Sequence, residues 1–388
     1  MKEVNKKSLY LHKKYRGKLG ILSKVPLASS KDLCLAYTPG VAEVCKIIAR
    51  NAKLGRDYTI KGNTVAVVTD GSAVLGLGNI GALAGLPVME GKAILLKRFA
   101  DVDAFPICLD TQNTEKIIET VKIIAPIFGA IQLEDISAPR CFEIEKRLQQ
   151  ELDIPVLHDD QHSTAVVVLA ALINALKCSV PIYGLQPINR RATKTKIVIN
   201  GAGAAGIGIA RLLLAYGFKN LIILDSHGTL YNGRQNLSGD KKDIAKKTNI
   251  QKIKGGLTDA LKNADVFIGV SQAGLLKPAM VKSMAKNPII FALANPVPEI
   301  MPKEAKKAGA FIIATGRSDF PNQINNVLAF PGIFRGALDN GVRFITPTML
   351  IKAAKNLAAL VKKPTPQKIL PSLFDKAAAK AVAKAIKT

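Results

Sequence analysis

Residues 196–217 read KIVINGAGAAGIGIARLLLAYG: a β-branched run, three glycines spaced G-x-G-x-x-G, then an apolar helical pattern. This order constrains the fold more than any other stretch, because a buried strand that turns at once into a helix belongs to a βαβ layer. Gly201 permits the tight turn, Gly203 lets backbone approach a pyrophosphate, and Gly206 lets helix pack on strand. Ala204 then opens a helix whose free amides attract an anion. A glycine triplet alone also fits an ordinary tight turn. Asp225, ending the next strand about 20 residues on, adds a carboxylate suited to ribose hydroxyls, and together the two features point to a dinucleotide. The Asp225 carboxylate disfavours a 2′-phosphate, so NAD is the first choice, while neighbouring Ser226, His227 and Arg234 keep NADP open.

The same rhythm runs along most of the chain. VAVVT (65–69), AFPICL (104–109) and PVLH (155–158) read as strands, with KIIETVKII (116–124) and FEIEKRLQQEL (142–152) as helices between them. KIVIN (196–200), NLIILD (220–225), ADVFIGV (264–270), PIIFALA (288–294) and AFIIAT (310–315) repeat it. At 388 residues the chain exceeds the usual size of one hydrophobic core. The expectation is an α/β protein of two domains. An N-terminal α/β catalytic or substrate domain covers 1–160, a Rossmann-type doubly wound parallel sheet covers 161–340, and a helical segment covers 341–388. The Pro/Gly-containing stretch 180–195 is expected to be a loop, as is KKPTPQK (362–368) before an Ala/Lys-rich terminal helix.

Composition narrows the function classes. Hydrophobic residues make up 48% and charged residues 22%, a globular balance. The apolar run at 165–176 is too short to span a bilayer and suits a buried helix, and the charged N-terminus lacks the apolar stretch of a secretory signal. No membrane association is expected. Five cysteines without a C-x-x-C pair fit free thiols in a reducing cytoplasm. The net charge of +26 is the unusual property. With aromatics at only 5% and no nucleic-acid signature, it is read as a lysine-rich solvated surface with some attraction for anionic substrates, and no nucleic-acid partner is expected.

Two carboxylate pairs sit at the ends of expected strands: Glu134 with Asp135 in IQLEDISAP, and Asp159 with Asp160 in PVLHDDQHS. Acids there often cap the helix that follows, and one pair alone would favour that reading. Two pairs at successive strand ends repel one another unless a hard divalent ion neutralises them, which points to Mg²⁺ or Mn²⁺. The four-residue spacing of His158 and His162 hints at zinc, but zinc in an oxygen-rich site needs more nitrogen or sulfur ligands, so both histidines are read as structural.

Beyond these local readings, the chain resembles a known family, the malic enzymes of the short bacterial type, from about Arg16 to about Leu338. The resemblance lies in LAYTPGVAEVC (35–45), DGSAVLGLGNIG (70–81), LPVMEGKAILLK (86–97), DAFPICLDT (103–111), LEDI (133–136), HDDQHSTA (158–165), VINGAGAAG (198–206), FALANPVPEI (291–300) and NQINNVLAFPGIFRG (322–336). It implies oxidative decarboxylation of malate to pyruvate and CO2 with NAD or NADP, and a homodimer. By the resemblance Tyr37 is the general acid, Lys92 the general base and Asp159 its companion. Glu134, Asp135 and Asp160 are the metal ligands, and the amides of Asn295 and Asn326 hold the substrate, with Asn295 also at the cofactor.

The sequence departs from the family in places. Ala73 stands where larger members carry an arginine that grips a malate carboxylate, Asn79 replaces an Asp, and Ser163 replaces a Gly. Longer bacterial relatives carry an acyltransferase-like extension, so acetyl-CoA regulation through such a domain is not expected here. Three rival functions stay in view: a non-decarboxylating hydroxyacid dehydrogenase, a non-catalytic dinucleotide-binding protein and a nucleic-acid module.

Overall fold

A computed structural model describes residues 2–74, 76–178, 193–237 and 239–387. The loop expected over 180–195 lies, up to residue 192, outside the described residues. Two parallel sheets form the frame. The first contains β1 (Thr64–Thr69), β2 (Asp103–Cys108), β3 (Ala130–Leu133) and β4 (Val156–His158), in the order β2-β1-β3-β4. The second contains β5 (Ile197–Asn200), β6 (Leu221–Asp225), β7 (Gly228–Thr229), β8 (Val266–Gly269), β9 (Ile289–Ala292) and β10 (Ile312–Thr315), in the order β10-β9-β8-β5-β6-β7. Only the short edge strand β7 runs antiparallel, returning from β6 through Asp225 and Gly228. The α/β reading with a doubly wound parallel sheet therefore holds, and the expected strands are present to within a residue or two at each end.

Crossover helices join the strands. They include α1 (Ala82–Ala100), α2 (Thr114–Ile124), α3 (Arg140–Glu151), α4 (Asp159–Cys178) and α5 (Ala204–Tyr216). Both β1 and β5 are buried along their whole length, which is why they read as unbroken apolar runs rather than alternating ones. One core cluster extends from Val65 through α4 to Ile386, and a second, with Val198, Phe267 and Ile290, fills the other face of the larger sheet. Helix α4 is long and apolar enough to cross a membrane by length and composition, but 78% of that stretch is buried inside the protein.

Three C-terminal helices follow, α6 (Phe330–Asp339), α7 (Pro347–Ala359) and α8 (Lys376–Ala383): α7 packs against α4, and α8 packs against both α6 and α7. Buried Asn174 of α4 donates to the carbonyls of Ala358 and Ile369 at 2.8 and 3.0 Å. On its other side α4 meets α5 so closely that a Cβ on Gly208 would strike the backbone of Gln161, with Gln161 Cα only 2.8 Å away. The glycine allows the backbone approach. Gly208→Ala should therefore part the two helices and cost about 1–3 kcal/mol, as overpacking does. Denaturant unfolding of the two proteins is the check, and an unchanged midpoint would mean that this contact is not tight.

Candidate active site

Both acid pairs stand at C-terminal ends of parallel strands, the edge where open α/β sheets bind ligands. Pairing of Leu133 with His158 across β3 and β4 sets Glu134 and Asp135 beside Asp159 and Asp160. The last two open α4, where the helix N-terminus favours negative charge. Asp159 and Asp160 thus stand in the first turn of α4, while their hydrogen bonds go to Lys92, Asn326 and the Asp135 N–H. One potential ligand atom from each of Glu134, Asp135 and Asp160 lies within 4.8 Å of the others. Asp135 adopts a left-handed conformation at φ +53°, held by its own N–H donating to Asp160 Oδ2 at 3.0 Å and by Ala73 N–H donating to its carbonyl at 2.9 Å. A non-glycine residue kept at such φ is characteristic of functional sites.

Lys92 reaches into this cluster from α1. Its Nζ lies 2.5 Å from Asp159 Oδ2 and 2.9 Å from Glu134 Oε1, and 4.8 Å above the Phe330 ring. Asn326 Nδ2 donates to the same Asp159 oxygen at 2.7 Å, and Gln132 Nε2 donates to Glu134 at 2.7 Å. Burial alone would push the Lys92 ammonium toward neutrality, but the charges of Asp159, Glu134 and Asp160 outweigh it and hold the proton. Burial pushes Glu134 well above the usual carboxylate range, only partly offset by Lys92. Asp135 rises to about 8, through burial and then the charge of Asp160.

The donor set suits a divalent metal. It is made of hard carboxylate oxygens, and Asp135 Oδ2 is buried without a hydrogen-bond partner, a vacancy costly unless a cation fills it. The histidines stand apart from it. His162 Nε2 pairs with Glu145 at 2.9 Å, and the buried ring of His158 comes no nearer than 3.8 Å to Asp160.

A cavity of about 540 Å³ opens on this cluster. Lys92, Glu134, Asp135 and Asp160 line it together with Asn295 and Asn326. Gly76, at φ +73°, packs against the carbonyl of Asn295 with no room for a Cβ, so the glycine loop after β1 and the Asn295 turn close on each other. Tyr37 is not among the lining residues. It caps a helix at Ser30–Ala36 and is 65% exposed.

A second cavity, of about 810 Å³, runs along the ends of β5 and β6 past Gly201, Gly203 and Asp225, and Ser271 borders both cavities. Gly201 sits at φ +122° against the Val270 carbonyl, and Gly206 packs against the Gly201 carbonyl. Gly203, by contrast, faces open space at the start of α5, where the phosphate approach was expected. Ala204 is the first residue of that helix and does not line the cavity itself. Asp225 is already engaged: Arg234 Nη2 at 2.7 Å, Lys241 Nζ at 3.1 Å and the His227 N–H at 3.0 Å. Burial would raise its carboxyl, yet these donors hold it down to about 2. Sequence reasoning named Arg234 as a neighbour but missed Lys241, which lies on a helix at Gly239–Ala245 with no local motif to mark it.

A glycine-turn dinucleotide cavity abutting a carboxylate and lysine site defines a nucleotide-dependent oxidoreductase. Comparison with known proteins places it further. Residues 16–149 match the malic enzyme N-terminal domain, and residues 161–388 match the malic enzyme NAD binding domain. The bifunctional malic/malolactic enzyme of Bacillus subtilis (strain 168) is 55% identical over 386 residues, covering 99% of this chain and 92% of that protein. The NADP-dependent malic enzyme of Escherichia coli (strain K12) is 47% identical over 348 residues, covering 89% of this chain and 44% of that one. The crystal structure of the NAD-dependent malic enzyme of Thermotoga maritima superposes with a TM-score of 0.92 at 49% identity, covering 98% of each chain. The chain belongs to the malic enzyme family, whose reaction is the oxidative decarboxylation of malate to pyruvate with reduction of NAD or NADP.

The crowded acids carry a stability signature. In the folded chain Asp135 keeps its proton up to about pH 8, whereas unfolded it ionises near pH 4, so stability is lost as pH rises between these values. Metal-free Asp135→Asn should therefore melt above metal-free wild type at pH 8, with the gap narrowing toward pH 5. An equal gap at both pH values would remove charge crowding as the cause.

Proposed function

We propose that malate binds in the cavity bounded by Lys92, Asn295 and Asn326, and that Lys92 is the base of the reaction. The observation that carries this reading is the buried Lys92 ammonium, fixed between Asp159 and Glu134 at a cluster that Asp135 and Asp160 complete. Glu134, Asp135 and Asp160 are the groups that would hold Mg²⁺ or Mn²⁺, which when bound supplies a Lewis acid at the C2 oxygen of malate. Gly201, Gly203 and Asp225 line the neighbouring cavity and would hold NAD or NADP, which when bound would supply the hydride acceptor.

Burial favours the neutral Lys92 amine and the acids oppose it, so a cation held by those acids would offset their pull and favour neutral Lys92. Neutral Lys92 can then take the proton of the C2 hydroxyl. Asp159, held by Asn326, keeps the Lys92 amine in place. The Asn295 and Asn326 amides orient the carboxylates. Tyr37 returns the proton that C3 gains once CO2 has left.

This last assignment needs Tyr37 at the cavity. The N-terminal segment that carries it exposes large apolar side chains, with Ile21 94%, Leu22 89% and Leu35 71% exposed. A homodimer that covers this N-terminal segment is the arrangement we infer, with Tyr37 serving the cavity of a second copy. We assign residues 1–160 to the substrate unit, 161–340 to the dinucleotide unit and 341–388 to the helical brace. The free cysteines fit a cytoplasmic setting.

The test is incubation with malate, Mn²⁺ and either NAD or NADP, following reduced cofactor and pyruvate together. Lys92→Ala should lose about 10²–10⁴-fold in malate oxidation. Tyr37→Phe should oxidise malate yet slow proton exchange at C3 of pyruvate. Mixing the two variants should restore part of the activity, because one cavity of each mixed dimer then has both groups intact. No restoration would sink service in trans, and normal oxidation by Lys92→Ala would sink the base.

Cofactor choice follows from the clamp on Asp225. Its charge toward a 2′-phosphate is offset by Arg234 and Lys241, so we assign NAD as preferred and NADP as accepted. Asp225→Ala should weaken NAD and narrow its advantage over NADP in kcat/KM. A wild type that already prefers NADP would remove Asp225 as the selector.

A further inference from the structure

Malate carries two carboxylates, and one cation at the acid cluster accounts for one end only. Among the described residues lining the cavity, two side chains are cationic, Lys92 and Lys18. Lys92 is committed to Asp159 and Glu134. Lys18 is differently placed. Its ammonium donates to the Pro87 carbonyl at 2.6 Å, and no carboxylate lies within ion-pair distance of it among the described residues. Two of its three N–H donors are therefore not used by that bond.

The E-G-K triplet on α1 explains how two ammonium groups share one cavity. Lys92 turns inward to the acids. Gly91 has no side chain, and a Cβ there would sit 3.8 Å from Lys18 Nζ, so the glycine leaves the helix surface open beneath that ammonium. Glu90 lies against Gly17 on the far side, with a carboxylate oxygen 2.7 Å from where a Gly17 Cβ would be. Burial draws the Lys18 ammonium below the usual lysine range, and the charge of Glu90 offsets this only in part. Val88, Leu95 and Ile324 supply apolar wall to the same cavity, where a charge-assisted hydrogen bond gains strength.

Arg140, the first residue of α3, is otherwise engaged. It pairs with Asp70 at 2.9 Å, bonds Ser72, Ser137 and the Gln112 carbonyl, and does not line the cavity.

We propose that Lys18 is a substrate-binding residue that grips the malate carboxylate lying away from the acid cluster, and so sets the preference for a four-carbon dicarboxylate. This rests on the malate cavity assigned above. Lys18 then acts on binding, not on proton transfer, and its loss falls on KM more than on kcat.

The experiment compares wild type, Lys18→Met and Lys18→Arg with saturating Mn²⁺ and NAD, measuring malate KM and kcat and the inhibition constant of oxalate. Oxalate can chelate a metal but has no distant carboxylate. Lys18→Met should raise malate KM about 10- to 100-fold, the effect of losing one charge-assisted hydrogen bond, with kcat changed far less and oxalate inhibition kept. Lys18→Arg should recover part of the loss. Malate KM within twofold of wild type in Lys18→Met overturns the proposal. So does a parallel loss of oxalate inhibition, which would mean that the variant damages the site as a whole. Wild type failing to oxidise malate would instead overturn the cavity assignment itself.

Discussion

The structure turns on one electrostatic problem, the burial of Glu134, Asp135 and Asp159 beside a half-buried Asp160 at two adjoining strand ends. Buried carboxylates are costly unless paired. One ammonium, Lys92, offsets part of that cost, and helix α4 places its positive end at Asp159 and Asp160. The balance is left incomplete, as the raised positions of Glu134 and Asp135 and the orphaned Asp135 oxygen indicate. A site that still lacks positive charge has a built-in demand for a cation, and the same demand sets how tightly Lys92 holds its proton.

The acids and the glycine turn are also mechanically joined. Asp159 and Asp160 open α4, and Gly203 caps α5, the helix that crosses α4 at Gly208 and Gln161. The acid cluster and the glycine turn thus stand at the starts of two helices in backbone contact. Packing at that density transmits displacement. Asn174, deep in α4, ties that helix to the carbonyls of Ala358 in α7 and of Ile369 beyond it.

How much of this was legible in the sequence depended on whether the signal was local. Buried parallel strands announce themselves as continuous apolar runs, so the strands of both sheets fall within a residue or two of their expected places. The glycine turn carries its own steric reason at Gly201 and Gly206. The acid pairs were visible because parallel strand ends concentrate ligands. The short N-terminal helices left no such trace, since none of the residues at Ser30–Ala36 or Val41–Arg50 is buried and their pattern answers to no core in the same chain. Lys18 and Lys241 were invisible for another reason: a lone lysine in a chain with 55 Lys and Arg residues is marked by what it faces, not by its neighbours in sequence.

Asp225 shows why a single residue rarely settles a choice between two cofactors. From sequence it is one negative charge beside a ribose. In the structure it forms a unit with Arg234 and Lys241, whose summed charge is positive, and Arg234 also donates to the carbonyls of Gly228 and Thr229. The acceptor oxygens are held in place by the same groups that weaken the repulsion of a phosphate. Orientation of the carboxylate and partial neutralisation of its charge therefore come from one arrangement, so the charge at this strand end is set by the cations as well as the acid.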